Sequence, residues 1–204
     1  AGSSTTVNLT LIAICSPIFT IIFARMILKD SLTARRMLSL VIASTGVLYL
    51  VTGGELSKLA SLSFNPGDVW MLAQASSFGL YSVMVQQRPL ELSPLPFLFS
   101  MFVFGMLLLI PWAAWEFSTA ESIVLSGNNV LAILYLGLGP SVLAYMSWNR
   151  SVAIIGPTRA SMVYYCLPLF GALGGLYFLG EHLTTSHFIS GALILTGVML
   201  STKN

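Results

Sequence analysis

The pentads "CSPIF" at residues 15–19 and "CLPLF" at residues 166–170 place Cys, Pro and Phe at the same spacing. Each pentad lies inside a strongly apolar run, and their prolines are 151 residues apart. The offset holds without a gap as far as the "TGV" at 45–47, which meets a second "TGV" at 196–198. Agreement over this length predicts that the chain contains an internal repeat.

The composition is typical of a membrane protein, because 56% of the 204 residues are hydrophobic and only 8% are charged. Soluble domains carry about 25% charged residues, whereas a helix that spans a bilayer needs about 20 consecutive apolar residues. The chain divides into seven such segments, at 7–28, 37–52, 68–87, 95–115, 129–149, 158–179 and 186–202. We therefore predict an all-α fold, a polytopic bundle of transmembrane helices.

The charged residues indicate sidedness and limit the partners. A net charge of +2 indicates no nucleic-acid partner. Two cysteines without ligand spacing indicate no metal site, and no cofactor is predicted. With seven crossings, all basic residues except Lys58 fall on one side: Arg25, Lys29, Arg35, Arg36, Arg88, Arg150, Arg159 and Lys203. By the positive-inside rule this side is cytoplasmic, and so is the C-terminus.

The two copies of the repeat are five segments apart, so an odd number of crossings makes them traverse the membrane in opposite directions. Asp30 then ends its helix inside, while the equivalent Glu181 ends its helix outside. Inverted-topology repeats place the substrate site of secondary transporters near mid-membrane, where the repeats meet. Because proline has no N–H, each pentad is also expected to kink its helix and leave the carbonyls of Ala13 and Tyr164 as free acceptors.

The repeat also predicts a domain organisation. Residues 1–54 would form the last two helices of a first repeat, and residues 55–204 would form a complete second repeat of five helices. Three further helices are then expected upstream of residue 1, so the sequence is interpreted as an amino-terminally incomplete transporter.

Residues 133–200 resemble the second EamA repeat of the drug/metabolite transporter superfamily. The resemblance rests on "AYMSWNRSV" at 144–152, the proline of the following helix, "GEHLT" at 180–184 and the closing "TGV". It implies seven helices of a ten-helix fold built from two inverted five-helix repeats. It also implies a secondary transporter, not an enzyme, that exports small metabolites such as amino acids across the bacterial inner (plasma) membrane by alternating access.

The resemblance further implies that the first, third and fourth helices of each repeat line the substrate cavity. Helical spacing selects a polar or aromatic stripe on each of these helices in the second repeat. The candidate substrate-binding residues are Gln74, Ser77, Tyr81, Ser141, Tyr145, Ser161, Tyr164, Tyr165 and Pro168, with Pro17 and Thr10 at equivalent positions of the first copy. The alternative is packing, since Ser and Thr in membrane helices often bond to neighbouring helices. The four tryptophans, Trp70, Trp112, Trp115 and Trp148, are interpreted as interfacial anchors.

Three further features bear on mechanism. No Asp, Glu, Lys or Arg occupies the middle of a segment, so either transport is uncoupled or the coupling residue belongs to the expected upstream helices. Gly171 and Gly175 form a GxxxG, which predicts close helix packing that could also slide during transport. His182 and His187 are interpreted as surface residues on the outer side.

The expected partners are a small-molecule substrate, an amino acid or related metabolite, and membrane lipid, with a homodimer possible. Two alternatives to a transporter remain. One is a truncated fragment of a transporter that packs as helices without moving a substrate. The other is a membrane-embedded enzyme, which the absence of HExxH, GxSxG and paired carboxylates at depth disfavours.

Overall fold

The computed structural model describes residues 12, 14–55, 57, 65–89, 92–119, 126–180 and 182–202. These residues contain helices and no strand, which confirms the all-α prediction, and each of the seven predicted segments contains helix; residues 7–11 and 13 of the first segment lie outside the described residues. The α-helices are α1 Cys15–Ile27, α2 Ala34–Thr52, α3 Pro66–Gln86, α4 Pro94–Thr119, α5 Gly127–Leu136, α6 Ala144–Ile155, α7 Pro157–Ser161, α8 Leu167–Leu179 and α9 Thr185–Thr202. A π-helical segment, Gly137–Leu143, joins α5 to α6, and a 3₁₀ turn, Met162–Cys166, joins α7 to α8. Several residues used in the sequence analysis lie outside the described residues: Thr10, Ala13, Lys58, Glu121, Glu181 and Lys203.

Local sequence chemistry explains where the helices begin and end. At the start of α2 the Thr33 side chain accepts a hydrogen bond from the backbone N–H of Arg36 at 3.3 Å, which satisfies a donor that the first helical turn leaves open. The helix ends at Gly53, whose φ of 64° is readily adopted only by glycine. Before α3, the carboxylate of Asp68 accepts the N–H of Asn65 at 2.9 Å.

Five stretches of the described chain are long and apolar enough to cross a membrane: Ala34–Thr52, Pro94–Thr119, Gly127–Ile155, Pro157–Leu179 and Thr185–Thr202. Helix α1 is apolar, and the structure describes 13 residues of it. Helix α3 has 21 residues but is not among the five. The reason is its content of polar side chains, which includes the predicted stripe at Gln74 and Ser77.

The chain divides into two compact units. The first contains residues 1–86 and 155–204, and therefore helices α1 to α3 and α7 to α9. The second contains residues 87–154, with α4, α5, the π-helical segment and α6. The buried apolar core of the first unit is formed by Ile14, Ala43, Val47, Met162, Tyr165, Cys166 and Ile194.

Helices α2 and α9 form the closest packing in the first unit, and the packing follows the repeat. A methyl group added to Gly46 would lie 2.8 Å from Cγ1 of Ile194, and one added to Gly197 would lie 2.8 Å from Cβ of Ala43. Gly197 is the repeat equivalent of Gly46, and Ile194 is the equivalent of Ala43, at the same offset of 151 residues. Each contact is therefore the symmetry mate of the other, as in a two-fold interface.

These paired contacts also give the relative direction of the two helices. On moving one turn forward along α2, from Ala43 to Gly46, the contact on α9 moves one turn backward, from Gly197 to Ile194. The repeat-related helices thus cross antiparallel, in the sense required for an inverted repeat.

The structure modifies the expected proline kinks. In the second pentad the chain tightens into the 3₁₀ turn before Pro168, and the N–H of Leu167 donates to the carbonyl of Tyr164. The prediction that this carbonyl is a free acceptor was therefore wrong, because a tighter turn supplies a donor one residue earlier. In the first pentad α1 is regular from Cys15 onward, and Ala13 lies outside the described residues.

The π-helical segment was not predicted, since apolar length alone indicated one regular helix over 129–149. Pro140 lies within the segment and cannot donate an α-helical hydrogen bond to the carbonyl of Leu136. The hydroxyl of Ser141 donates to that carbonyl instead, at 3.0 Å. The signal in the sequence was "GLGP" at 137–140, in which two glycines and a proline weaken a regular helix.

The described residues do not show the close packing that the GxxxG predicts at both of its glycines. Gly175 is buried, but a methyl group on Gly171 would meet nothing within 4 Å among the described residues. The glycines that do allow close helix approach are Gly46, Gly79 and Gly197. None of these three belongs to a GxxxG, so spacing between glycines did not identify the helix contacts.

Candidate functional site

Helix α3 carries two different faces. Its buried face contains Gly79, where an added methyl group would lie 2.8 Å from the backbone nitrogen of Thr20 in α1. The predicted stripe lies on the opposite face, because Ser77 and Tyr81 are each about 160° around the helix from Gly79. Gln74 and Ser77 are exposed in the first unit, and Tyr81 is half-buried. Helix α3 thus packs on α1 by its small residues and turns its polar stripe away from it.

An aromatic cluster links this stripe to the 3₁₀ turn. The ring of Phe78 lies 5.9 Å from that of Tyr81 and 5.0 Å from that of Tyr164, centroid to centroid. The structure therefore brings two of the predicted residues, Tyr81 and Tyr164, together through a residue that the sequence analysis did not select. Phe78 was missed because it falls outside the helical spacing that joins Gln74, Ser77 and Tyr81, although it lies about one turn before Tyr81.

Tyr165 lies in the core of the first unit instead of on an open face. Its side chain is 1% exposed. The hydroxyl of Ser44 donates to the Tyr165 hydroxyl at 3.0 Å, and the Tyr165 hydroxyl donates to the carbonyl of Ile14 at 3.3 Å. Ile14 is the repeat equivalent of Tyr165, so this hydrogen bond joins the same position of both copies. It lies on the local two-fold axis that relates the pentads.

The remaining candidates of the first unit are also turned inward or partly covered. Ser161 is buried and its hydroxyl donates to the carbonyl of Thr158 at 2.9 Å. Pro17 is fully buried, and Pro168 is half-buried. In this conformation Ser161 and Tyr165 bond to protein groups, and their role as substrate ligands stays a prediction.

Ser141 and Tyr145 belong to the second unit. Both are half-buried there, and the ring of Tyr145 contacts that of Phe102 edge-on, with 6.0 Å between the centroids. The hydroxyl of Ser141 is already bonded to Leu136 within the π-helical segment. Short π-helical segments inside α-helices occur frequently at functional sites, which distinguishes this helix from the regular α4.

A polar cluster lies at one end of the first unit, where the α1–α2 loop meets the start of α7. The Arg36 guanidinium lies 2.7 Å from the Asp30 carboxylate, and the Thr158 hydroxyl donates to the other carboxylate oxygen at 3.1 Å. Partial burial of Asp30 raises its pKa, but the hydrogen bond and charge of Arg36, with the bond from Thr158, outweigh this and lower the pKa below its usual range. The cluster therefore ties the loop of the first copy to the second copy.

The comparisons with known proteins identify the family. Residues 65–203 match the model of the EamA-like transporter family. The uncharacterized transporter YyaM of Bacillus subtilis is 28% identical, over 95% of this chain and 63% of its own length. An uncharacterized transporter of Archaeoglobus fulgidus is 26% identical, over 98% of this chain and 68% of its own length. A protein named as a probable terminal-alkyne amino-acid exporter, from Streptantibioticus cattleyicolor, is 26% identical over 93% of this chain and 61% of its own length.

The fold has a counterpart among solved structures. One crystal structure superposes with a TM-score of 0.73 at 19% identity, over 98% of this chain and 68% of that one. The chain spans less than two thirds of the length of YyaM, so it corresponds to part of that relative. Apolar membrane-length helices, the antiparallel crossing of two repeat-related helices and the match over residues 65–203 lead to one conclusion. This multi-pass membrane protein belongs to the EamA-like transporter family.

Proposed function

We propose that the full-length protein is a secondary transporter that exports small metabolites, with amino acids the leading class, by alternating access. The observation that carries this proposal is the antiparallel, two-fold contact between α2 and α9, at Gly46 and Gly197. Two halves of opposite orientation can exchange conformations, so that a site between them opens first to one side and then to the other. Helix packing without transport would not need this symmetry.

The chemistry of the α3 stripe supports a substrate that is partly polar and partly apolar. The amide of Gln74 and the hydroxyl of Ser77 can hydrogen-bond polar groups, while the rings of Tyr81, Phe78 and Tyr164 provide an apolar surface. An amino acid combines these two characters in one small molecule. The name of the Streptantibioticus cattleyicolor relative points to the same class of substrate.

We further propose that the protein lies in the bacterial inner membrane with its C-terminus in the cytoplasm. Basic residues support this orientation, because Arg36 and Arg159 lie at the same end of the first unit. Cytoplasmic loops of membrane proteins carry an excess of Arg and Lys. The direction of net transport would then be from this basic end to the opposite one.

The test is efflux of labelled amino acids from proteoliposomes that contain the full-length protein. We expect Gln74→Ala and Tyr81→Ala to lower the initial rate of efflux about fivefold, because each removes a contact worth about 1 kcal/mol from a buried substrate. Matched controls are Gln87→Ala and Tyr177→Ala, whose side chains are exposed and lie outside the stripe. These controls should keep the wild-type rate.

Two outcomes would contradict the proposal at different levels. Efflux that is unchanged in both stripe variants removes α3 from the substrate pathway while leaving a transporter. Absence of efflux for every amino acid and related small metabolite, from a protein that melts cooperatively, contradicts the proposed substrate class.

A further inference from the structure

A cleft of about 400 Å³ opens at one end of the first unit, beside the Asp30–Arg36–Thr158 cluster. Helices α1 and α3 end beside it, and α2 and α7 begin beside it. Its polar lining comes from Arg36, Arg159, Asp30 and Gln86, and its apolar lining includes Leu28 and Pro157. A cleft formed by the ends of membrane helices lies at the depth of the lipid headgroups.

The charges of the lining favour an anion. Two guanidinium groups and one carboxylate face the cleft, which leaves an excess of one positive charge. The carboxylate of Asp30 is paired with Arg36 at 2.7 Å, so these two charges offset each other and the excess positive charge of the lining is that of Arg159. Arg25 adds positive charge nearby, since its guanidinium donates to the backbone carbonyl of Asp30 at 3.3 Å.

The geometry of the guanidinium groups specifies the anion further. Arginine presents planar pairs of N–H donors that match phosphate oxygens, and basic pockets between membrane helices bind the headgroups of anionic lipids. The amide of Gln86 adds a further donor at the rim, because this side chain is exposed. Leu28 and Pro157 offer an apolar wall against which the glycerol and upper acyl chain of a lipid can pack, which a small soluble anion would not use.

We propose that this cleft is a binding site for an anionic phospholipid, with Arg36, Arg159 and Gln86 holding the phosphodiester. A phosphodiester carries one negative charge, which matches the excess positive charge of the lining. A bound headgroup would bridge the end of α3 to the start of α7. Lipid binding would thereby stabilise the first unit independently of which substrate the transporter carries.

The experiment measures phospholipid binding to the full-length protein in neutral detergent, by native mass spectrometry and by thermal unfolding. The probes are phosphatidylglycerol, which is anionic, and phosphatidylcholine, which has the same phosphodiester but no net charge. We expect phosphatidylglycerol to bind more tightly and to raise the unfolding temperature more than phosphatidylcholine.

The decisive variants place a negative charge inside the cleft or just outside it. Gln86→Glu puts a carboxylate into the lining at an exposed position, where it should not disturb folding. We expect it to weaken phosphatidylglycerol binding about fivefold, since one charge near the membrane surface changes binding by about 1 kcal/mol. Gln87→Glu adds the same charge one residue further along, outside the lining, and should bind as the wild type does.

A second pair of variants removes positive charge. Arg159→Gln should weaken phosphatidylglycerol binding by a similar factor, and Arg159→Lys should recover part of it because the charge is kept. The control is Arg150→Gln, which removes an exposed arginine that does not line the cleft. Unfolding temperatures measured without added lipid show whether a variant has lost only the lipid site or has also lost stability of the fold.

Three results would overturn the inference. One is equal loss of binding in Gln86→Glu and Gln87→Glu, which indicates diffuse electrostatic attraction instead of a site. Another is equal stabilisation by phosphatidylcholine and phosphatidylglycerol. The third is displacement of the lipid by millimolar inorganic phosphate or by a free amino acid, which would make the cleft a site for a small soluble anion.

Discussion

The two copies of the proline pentad have the same residue spacing but different surroundings. In the first copy, Pro17 and Thr20 are buried, and the backbone of Thr20 lies against Gly79 of α3. In the second copy, Pro168 is half-buried, and no described residue lies within 4 Å of a methyl group added to Gly171, the repeat equivalent of Thr20. Among the described residues, equivalent helix faces therefore differ in burial, because α3 covers the first face and no described helix covers the second.

The backbone differs between the copies as well. Helix α1 is a regular α-helix from Cys15, whereas the second copy tightens into a 3₁₀ turn that ends at Cys166. That turn holds Tyr165, whose hydroxyl reaches Ile14 in the first copy. Since Ile14 has no hydroxyl, the reciprocal hydrogen bond cannot form. The local two-fold axis therefore carries a single hydrogen bond, from the Tyr165 hydroxyl of the second copy to the Ile14 carbonyl of the first.

The largest loss of stability is expected for a substitution at Gly79, where α3 lies against the backbone of α1. Gly79→Leu places a branched side chain against the backbone of Thr20 and should destabilise the protein by about 3 kcal/mol or more, because helix backbone cannot give way as a side chain can. The measurement is unfolding of the purified protein in detergent, followed by tryptophan fluorescence. Gly171→Leu, at the open position of the second copy, is the matched control and should change the free energy of unfolding far less.

The paired contacts of α2 and α9 predict that both copies are sensitive to a methyl group at the equivalent glycines. Gly46→Ala places a methyl group 2.8 Å from the side chain of Ile194, and Gly197→Ala places one 2.8 Å from the backbone of Ala43, so each should destabilise the protein by about 1–3 kcal/mol. Comparison of the two unfolding free energies is the check. A large effect of one substitution and none of the other would break the two-fold description of this contact.

The Tyr165 hydroxyl should contribute less to the free energy of unfolding than these helix contacts do. Tyr165→Phe removes both the bond to Ile14 and the acceptor for Ser44, and should lower the free energy of unfolding by about 1 kcal/mol, the usual scale for polar bonds between membrane helices. Tyr177→Phe, at an 83% exposed tyrosine, is the control and should have no effect. A double-mutant cycle with Ser44→Ala measures how much of the loss comes from that pair.

The ion pair between Asp30 and Arg36 should contribute less to the free energy of unfolding than the Tyr165 hydroxyl does, because both side chains are partly exposed, at 32% and 21%. Asp30→Asn should destabilise the wild type by about 0.5–1 kcal/mol at neutral pH. The pKa of Asp30 is lowered in the folded protein, so its contribution is present above the ordinary aspartate pKa of about 4 and is lost as pH falls through the lowered value. Unfolding measured at neutral and acidic pH should therefore show the two proteins converge in acid, and a difference that grows in acid would contradict this sign.

The smallest change in stability is expected for an added methyl group at Gly171. Gly171→Ala adds a methyl group where no residue of the described chain lies within 4 Å, and alanine favours a helix over glycine by up to about 1 kcal/mol. The substitution should leave the unfolding temperature unchanged or raise it slightly. Marked destabilisation would indicate that this face is covered in the full-length protein, which would remove the contrast between the two copies.

Much of the architecture could be predicted from residue patterns. Apolar length predicted the seven segments, and capping residues such as Thr33 and Gly53 lie at observed helix ends. The repeat offset makes Gly46 equivalent to Gly197, and the contacts of these two glycines between α2 and α9 are related by the same offset. These features are predictable because hydrophobic length and local hydrogen bonding depend on neighbours along the chain.

The candidate site was predicted less completely. Periodicity placed Gln74, Ser77 and Tyr81 on one face of α3, and they do share a face. It also grouped Ser161 with Tyr165, but it could not show that Tyr165 points to Ser44 in the core. A helical wheel reports which residues share a face and contains no information on what that face meets.

The amino-acid sequence by itself determined that this chain enters the membrane repeatedly, and that its two proline-centred helices are related by an inverted repeat. Both follow from the apolar length of segments and from counting crossings. Only the tertiary structure decided that Gly79 lies against the backbone of α1, that the chain tightens before Pro168, and that Asp30 binds Thr158 across the repeats. Those outcomes depend on close packing between residues far apart in the chain, and such packing is set by the neighbouring helix and not by the local sequence.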